Sequence, residues 1–274
     1  MKKRFILLLL FYFITISFPQ SVELFGDIKP GNIIFGKGEE IKNIRLDDKE
    51  ISSDENGNFV FGFDRDAKGK HYLIVQLIDK TFIKKIILPE RKYKIQRINR
   101  MKKKYVTEPK EEIERINKER EIGKQARAKI GEETKALYSS GFIRPIKGGR
   151  ISSVFGSQRI LNGKPKNAHN GIDIAVPRGT SVHAMTDGVV RLSADKFYYA
   201  GNYILLDHGQ GLSSVYLHLK KSFVKEGQQI AKGDVIGEVG TTGRSTGPHL
   251  HWGVQWFDRR VDPFSLLKVK DIFN

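Results

Sequence analysis

The chain's most chemically loaded stretch is Thr246-Gly247-Pro248-His249-Leu250-His251-Trp252-Gly253-Val254. Read as a β-strand, its side chains alternate between two faces. His249, His251 and Gln255 then point one way, and Leu250, Trp252, Val254 and Trp256 the other. One face offers a pair of imidazoles and the other an apolar surface that anchors the strand by packing. Imidazoles at i and i+2 can address one metal ion together, or one can bind metal while its neighbour moves a proton.

Partners for such a site stand upstream. In Ala168-His169-Asn170-Gly171-Ile172-Asp173-Ile174-Ala175, His169 falls in a loop and Asp173 at the start of a strand. The short turn at Gly171 lets both side chains converge, whereas Gly171 and the proline-bounded, isoleucine-rich sequence argue against a helix. His218 lies near the end of an apolar run, Leu212 to Leu219. Taken alone it reads as a satisfied core histidine. His71, His183 and His208 fall outside any cluster and read as structural.

The elements that must position these groups are mostly strands. Over 274 residues the sequence repeatedly sets short Val/Ile/Phe/Tyr runs between Gly, Asn, Asp and Pro turns. The length suits two modest domains. Cysteine is absent, which excludes disulfides, thiolate metal sites and a cysteine nucleophile. Any metal must be held by His, Asp or Glu. The net charge of +17 favours anionic partners.

Residues 1–21 combine a basic start, Met1-Lys2-Lys3-Arg4, with an apolar run from Phe5 to Phe18. The run is short of the roughly 20 residues of a membrane span and fits a secretory signal or an uncleaved anchor. Export to the periplasm or cell envelope is therefore expected, which argues against nucleic acid as the anionic partner. Residues 22–98 read as a small β-sandwich without clustered chemistry. Residues 99–140 read as a charged helical linker, with i,i+4 pairs Glu111–Arg115 and Glu114–Lys118 and breaks expected at Gly123 and Gly131. Residues 141–268 begin with a strand expected over Phe142–Ile146 and include a polar loop from Gln158 to Lys166. The fold class expected is mainly β: a sandwich, a helical linker, and a C-terminal domain of short strands.

Three motifs resemble those of the M23 family of zinc metallopeptidases, the lysostaphin and LytM type. They are His169-Asn170-Gly171-Ile172-Asp173 (H-x-G-x-D), Tyr216-Leu217-His218-Leu219 (Y-x-H-L) and Gly247-Pro248-His249-Leu250-His251 (G-P-H-L-H), in the family's order. Ser153-Val154-Phe155-Gly156 resembles its S-x-F-G lead-in. The resemblance implies one Zn2+ per chain on His169, Asp173 and His251, with His218 and His249 beside it in catalytic roles. It also implies that the C-terminal domain is an antiparallel β-sheet with a groove, and that it hydrolyses peptidoglycan stem peptides. The basic first domain and linker would hold the chain near the wall, the membrane surface or envelope proteins; nothing in the sequence specifies an oligomeric state. The rival reading is a non-catalytic LytM-type regulator that activates another cell-wall hydrolase.

Overall fold

The computed structural model describes residues 22–269, so the expected signal or anchor lies outside the described residues. The N-terminal part holds two small antiparallel sheets. One comprises Val22–Phe25, Ile33–Gly38 and Asn58–Gly62; the other comprises Lys49–Ile51, Ile41–Leu46, Lys70–Leu77 and Thr81–Ile87. Alternation of buried and exposed residues in Lys70–Leu77 marks a strand with one solvated face. Inner-face side chains, among them Phe35, Phe59, Phe61, Leu46 and Leu73, are fully buried. They belong to one apolar core that continues into the C-terminal sheet.

That sheet has ten strands, and its central path runs through Gly201–Asp207, Leu212–Ser222, His249–Trp256 and Ile172–Ala175. The His249–Trp256 strand is therefore interior, paired antiparallel on both sides. Leu250, Trp252, Val254 and Trp256 are all completely buried on its core face. Truncating a buried tryptophan costs about 3–5 kcal/mol, so this packing fixes the strand's register and, with it, the position of the histidines opposite.

Four sequence expectations are corrected. The charged segment forms a single helix, Ile113–Ala128, that runs unbroken through Gly123. Gly123 lies on the helix's buried side with Ile116 and Ala126, and a Cβ there would meet only the Arg127 guanidinium. The chain turns only at Gly131, with φ +101°. Arg115 pairs with Glu112 and Glu119 rather than Glu111, and no ion pair joins Glu114 to Lys118 among the described residues. The Phe142–Ile146 segment joins no strand ladder; its backbone is held by single bonds, Ile143 N–H to Met185 O and His183 N–H to Pro145 O. Finally, Gln158–Lys166 is no plain loop. Gln158–Leu161 and Lys164–Pro165 make a hairpin across Asn162-Gly163, both at positive φ. Gln158–Leu161 also pairs in parallel with Ile95–Ile98, tying the chain after the first two sheets to the lip of the site.

His208 is structural, as its place in a turn suggests. Its Nδ1–H donates to the Asp187 carbonyl at 2.6 Å and its Nε2 accepts from Ser214 Oγ at 2.7 Å. Burial pushes its pKa down to about 4. The unfolded chain, with histidine near 6.5, binds a proton there first, so this group withdraws stability as pH falls from about 6.5 to about 4. The expected loss is about 3 kcal/mol over that window. Urea unfolding against pH should show it, and His208→Gln should flatten that part of the curve.

Candidate metal centre and active-site cleft

Strand register brings the first two groups together. Asp173 and His251 are direct cross-strand partners, so their side chains share a face. His251 Nδ1 lies 2.8 Å from Asp173 Oδ1. His169, in the preceding loop, brings Nε2 to 3.0 Å from the same oxygen and 3.0 Å from His251 Nδ1. Gly171 makes this approach possible. A Cβ there would stand 2.4 Å from the Trp252 carbonyl and 2.9 Å from the His251 ring.

The tautomers follow from the backbone. The Val154 carbonyl, 3.1 Å from His169 Nδ1, can only accept, so Nδ1 carries the proton and Nε2 presents a lone pair. Ser153 Oγ also touches Nδ1, at 2.7 Å. Burial pushes the His169 pKa down to about 4, so the ring is neutral at pH 7. Burial works to raise Asp173, yet the close approach of the His169 and His251 imidazoles holds it well below the usual carboxylate range. A lone pair on His169 therefore faces an ionised carboxylate across 3.0 Å. Two acceptors at that distance need a cation or proton between them.

His169, Asp173 and His251 offer ligand atoms within 4.8 Å of one another. Two imidazole nitrogens and a carboxylate oxygen suit zinc, whose ligand distances of about 2.0–2.2 Å in a tetrahedron separate the ligands by about 3.3 Å. Small outward shifts of these side chains would reach that spacing, so the residues fit the ion. Asp173 Oδ2 is held by the Arg159 guanidinium at 2.8 Å, which leaves Oδ1 for the centre.

The remaining two histidines stand alongside. His249 donates Nδ1–H to the Gly247 carbonyl at 2.8 Å, and its Nε2 lies 3.9 Å from Asp173 Oδ1. His218 donates Nδ1–H to the Thr242 carbonyl at 2.9 Å. Its ring centroid is 4.8 Å from that of His249 and 6.2 Å from that of His251. Burial, then the charges of His249 and His251, hold the His218 pKa well below the ordinary histidine value, so Nε2 is a free base.

A β-bulge turns His218 to this place. Asn202 pairs with Leu219 and Ile204 with Tyr216, so Tyr203 alone opposes Leu217 and His218. His218 adopts φ +63° there, and its N–H donates to the Ala200 carbonyl at 2.9 Å.

His169, His218 and His251 line a cleft of about 760 Å³ that also includes Glu108, Arg159, Tyr199 and Arg244. All five histidine and aspartate positions singled out in the sequence are thus adjacent. Arg159, Ser153, Thr242, Tyr199, Arg244 and Glu108 were not anticipated. Only Arg159 had a local signal, the Asn162-Gly163 turn that makes its segment one arm of a hairpin.

Residues 167–263 match the family model described as peptidase family M23. Over this stretch the chain is similar to M23 peptidases. Peptidoglycan DD-endopeptidase ShyA of Vibrio cholerae is 47% identical over 104 residues, 38% of this chain and 24% of that protein. DD-carboxypeptidase/endopeptidase Mpg of Neisseria meningitidis is 40% identical over 137 residues, 49% of this chain and 31% of that protein. These alignments thus cover only about a quarter to a third of those relatives' length. A crystal structure of an M23 peptidase from Pseudomonas aeruginosa superposes with a TM-score of 0.66 at 28% identity, covering 89% of this chain and 96% of that one. The likeness therefore extends beyond the M23 domain into the N-terminal sheets.

Proposed function

We propose that this chain is an exported, zinc-dependent endopeptidase that hydrolyses peptide cross-links of peptidoglycan at the cell envelope. The observation that carries the reading is the set of fixed imidazole tautomers. Three backbone carbonyls, of Val154, Gly247 and Thr242, take the Nδ1 protons of His169, His249 and His218 and leave their Nε2 atoms as lone pairs. One serves the metal set and two flank it, which a purely structural metal site would not require. Relatives named as peptidoglycan endopeptidases support the substrate class, and the +17 charge suits a carboxylate-bearing polymer.

Zinc held by His169, Asp173 and His251 would supply Lewis acidity and lower the pKa of a bound water to about 7. His218, buried and neutral, takes the proton of the attacking water and returns it to the leaving amine. His249, carrying at Nε2 a proton taken from bulk water, donates to the negative charge that develops on the carbonyl oxygen. Arg159 holds Asp173 Oδ2 and so keeps the carboxylate oriented throughout.

The test is muropeptide release from purified sacculi with zinc and with chelator. Zinc-dependent loss of cross-linked dimers is expected. No release under any zinc condition, together with stimulation of a second wall hydrolase, would replace this reading with the regulatory one.

A further inference from the structure

The segment before the helix does more than connect. Tyr105 packs edge-on against Tyr198 with centroids 5.3 Å apart. Tyr198 Oη donates to the Lys104 carbonyl and its N–H to Glu119 Oε2, each at 2.6 Å. The strap formed by residues 103–119 thus grips the turn after Gly188–Phe197, whose Ala200 carbonyl holds the His218 backbone.

Between its two fixed points the strap sends Glu108 into the catalytic cleft, where the carboxylate accepts a hydrogen bond from Tyr199 Oη. That bond, followed by the charges of Lys166 and Arg244, holds the Glu108 carboxyl below its usual value. Arg244 lies over the Tyr199 ring at 4.7 Å, and its backbone N–H donates to the Tyr199 carbonyl at 2.9 Å. Among the described residues no hydrogen bond or ion pair engages the Arg244 guanidinium. Its neighbour Arg159 is committed to Asp173. The cleft therefore contains a half-buried cation with unspent donors, stacked on a phenol that already binds a carboxylate. Arginine's fork of N–H donors is matched to carboxylate oxygens.

We propose that Tyr199 and Arg244 form a carboxylate-binding subsite of the cleft, filled by Glu108 in this conformation and taken by a free carboxylate of the substrate peptide when Glu108 withdraws. The inference rests on the peptidase reading for the identity of the substrate and deepens it. It makes substrate charge a determinant of specificity and sets the chain's own Glu108 in competition with the substrate.

The test is calorimetric titration of the full chain, kept with chelator so that nothing is turned over. The probes are an N-acetylated, D-alanine-ended peptide with one side-chain carboxylate, its C-terminal amide, its side-chain amide, and the doubly amidated form. One of the single amidations should weaken binding roughly tenfold, the scale of one charge-assisted hydrogen bond, and shows which carboxylate docks. Glu108→Gln should tighten the free-carboxylate probe several-fold and leave the doubly amidated one unchanged. Arg244→Gln and Tyr199→Phe should each weaken the former toward the latter, with circular dichroism confirming the fold. Equal binding of all four probes, or Glu108→Gln shifting both extremes alike, overturns the proposal. Cleavage of these probes with zinc is measured in parallel. Carboxylate discrimination without cleavage would keep the subsite and remove the peptidase reading. Cleavage without discrimination would do the reverse.

Discussion

Asp173→Asn should yield a folded chain that no longer retains zinc through dialysis and has no peptidase activity above background. The asparagine oxygen can still accept from Arg159, and its amide can donate to the His169 Nε2 lone pair, so local packing survives. What disappears is the negative charge that makes the donor set bind a dication. The stability cost should be roughly 2 kcal/mol. That is less than the 3–5 kcal/mol of breaking a fully buried pair, because the Arg159 side chain keeps a hydrogen bond and is 19% exposed. Metal content by mass spectrometry and a thermal melt read the two effects separately. A variant that keeps full zinc would remove Asp173 from the ligand set.

His218→Ala should separate the two functions in the opposite sense. Zinc content should match the unsubstituted chain, since His218 contributes no atom to the three-residue cluster. Turnover should fall by roughly 10²–10⁴, the range for loss of a positioned general base. The comparison is made on soluble peptide, where access is not limiting. Unchanged turnover would pass the base role to His249, the other imidazole beside the three-residue cluster.

How far the site could be read from the sequence depended on the reach of each signal. Period-two alternation in His249–Trp256 is local and strong, so the division between imidazole and core faces was legible. So was the convergence of His169 and Asp173, because Gly171 admits only a tight approach. The first two sheets were legible for the same reason: turn residues bracket Ile33–Gly38, Ile41–Leu46, Asn58–Gly62 and Lys70–Leu77. Contacts at long sequence separation were not. Glu108 meets Tyr199 across 91 residues, and Ile95–Ile98 finds Gln158–Leu161 through a parallel pairing that no turn announces. Gly123 misled because helix propensity describes an isolated helix, whereas here burial of Ile116 and Ala126 holds the helix through that position. His218 is the instructive intermediate. An apolar strand context makes a lone histidine look like core, and only its alignment with the other two motifs gives it a chemical role.

The left-handed backbone at His218 carries an evolutionary consequence. A residue with a Cβ spends about 1–2 kcal/mol to hold that conformation, and glycine would hold it at little cost. Neutral drift toward foldability alone would thus put glycine at this position and yield a sturdier, inert molecule. Descendants of this chain that abandon hydrolysis for binding should show the change there early, while His169, Asp173 and His251 could persist as a metal brace. The position marks where selection for turnover outweighs selection for folding.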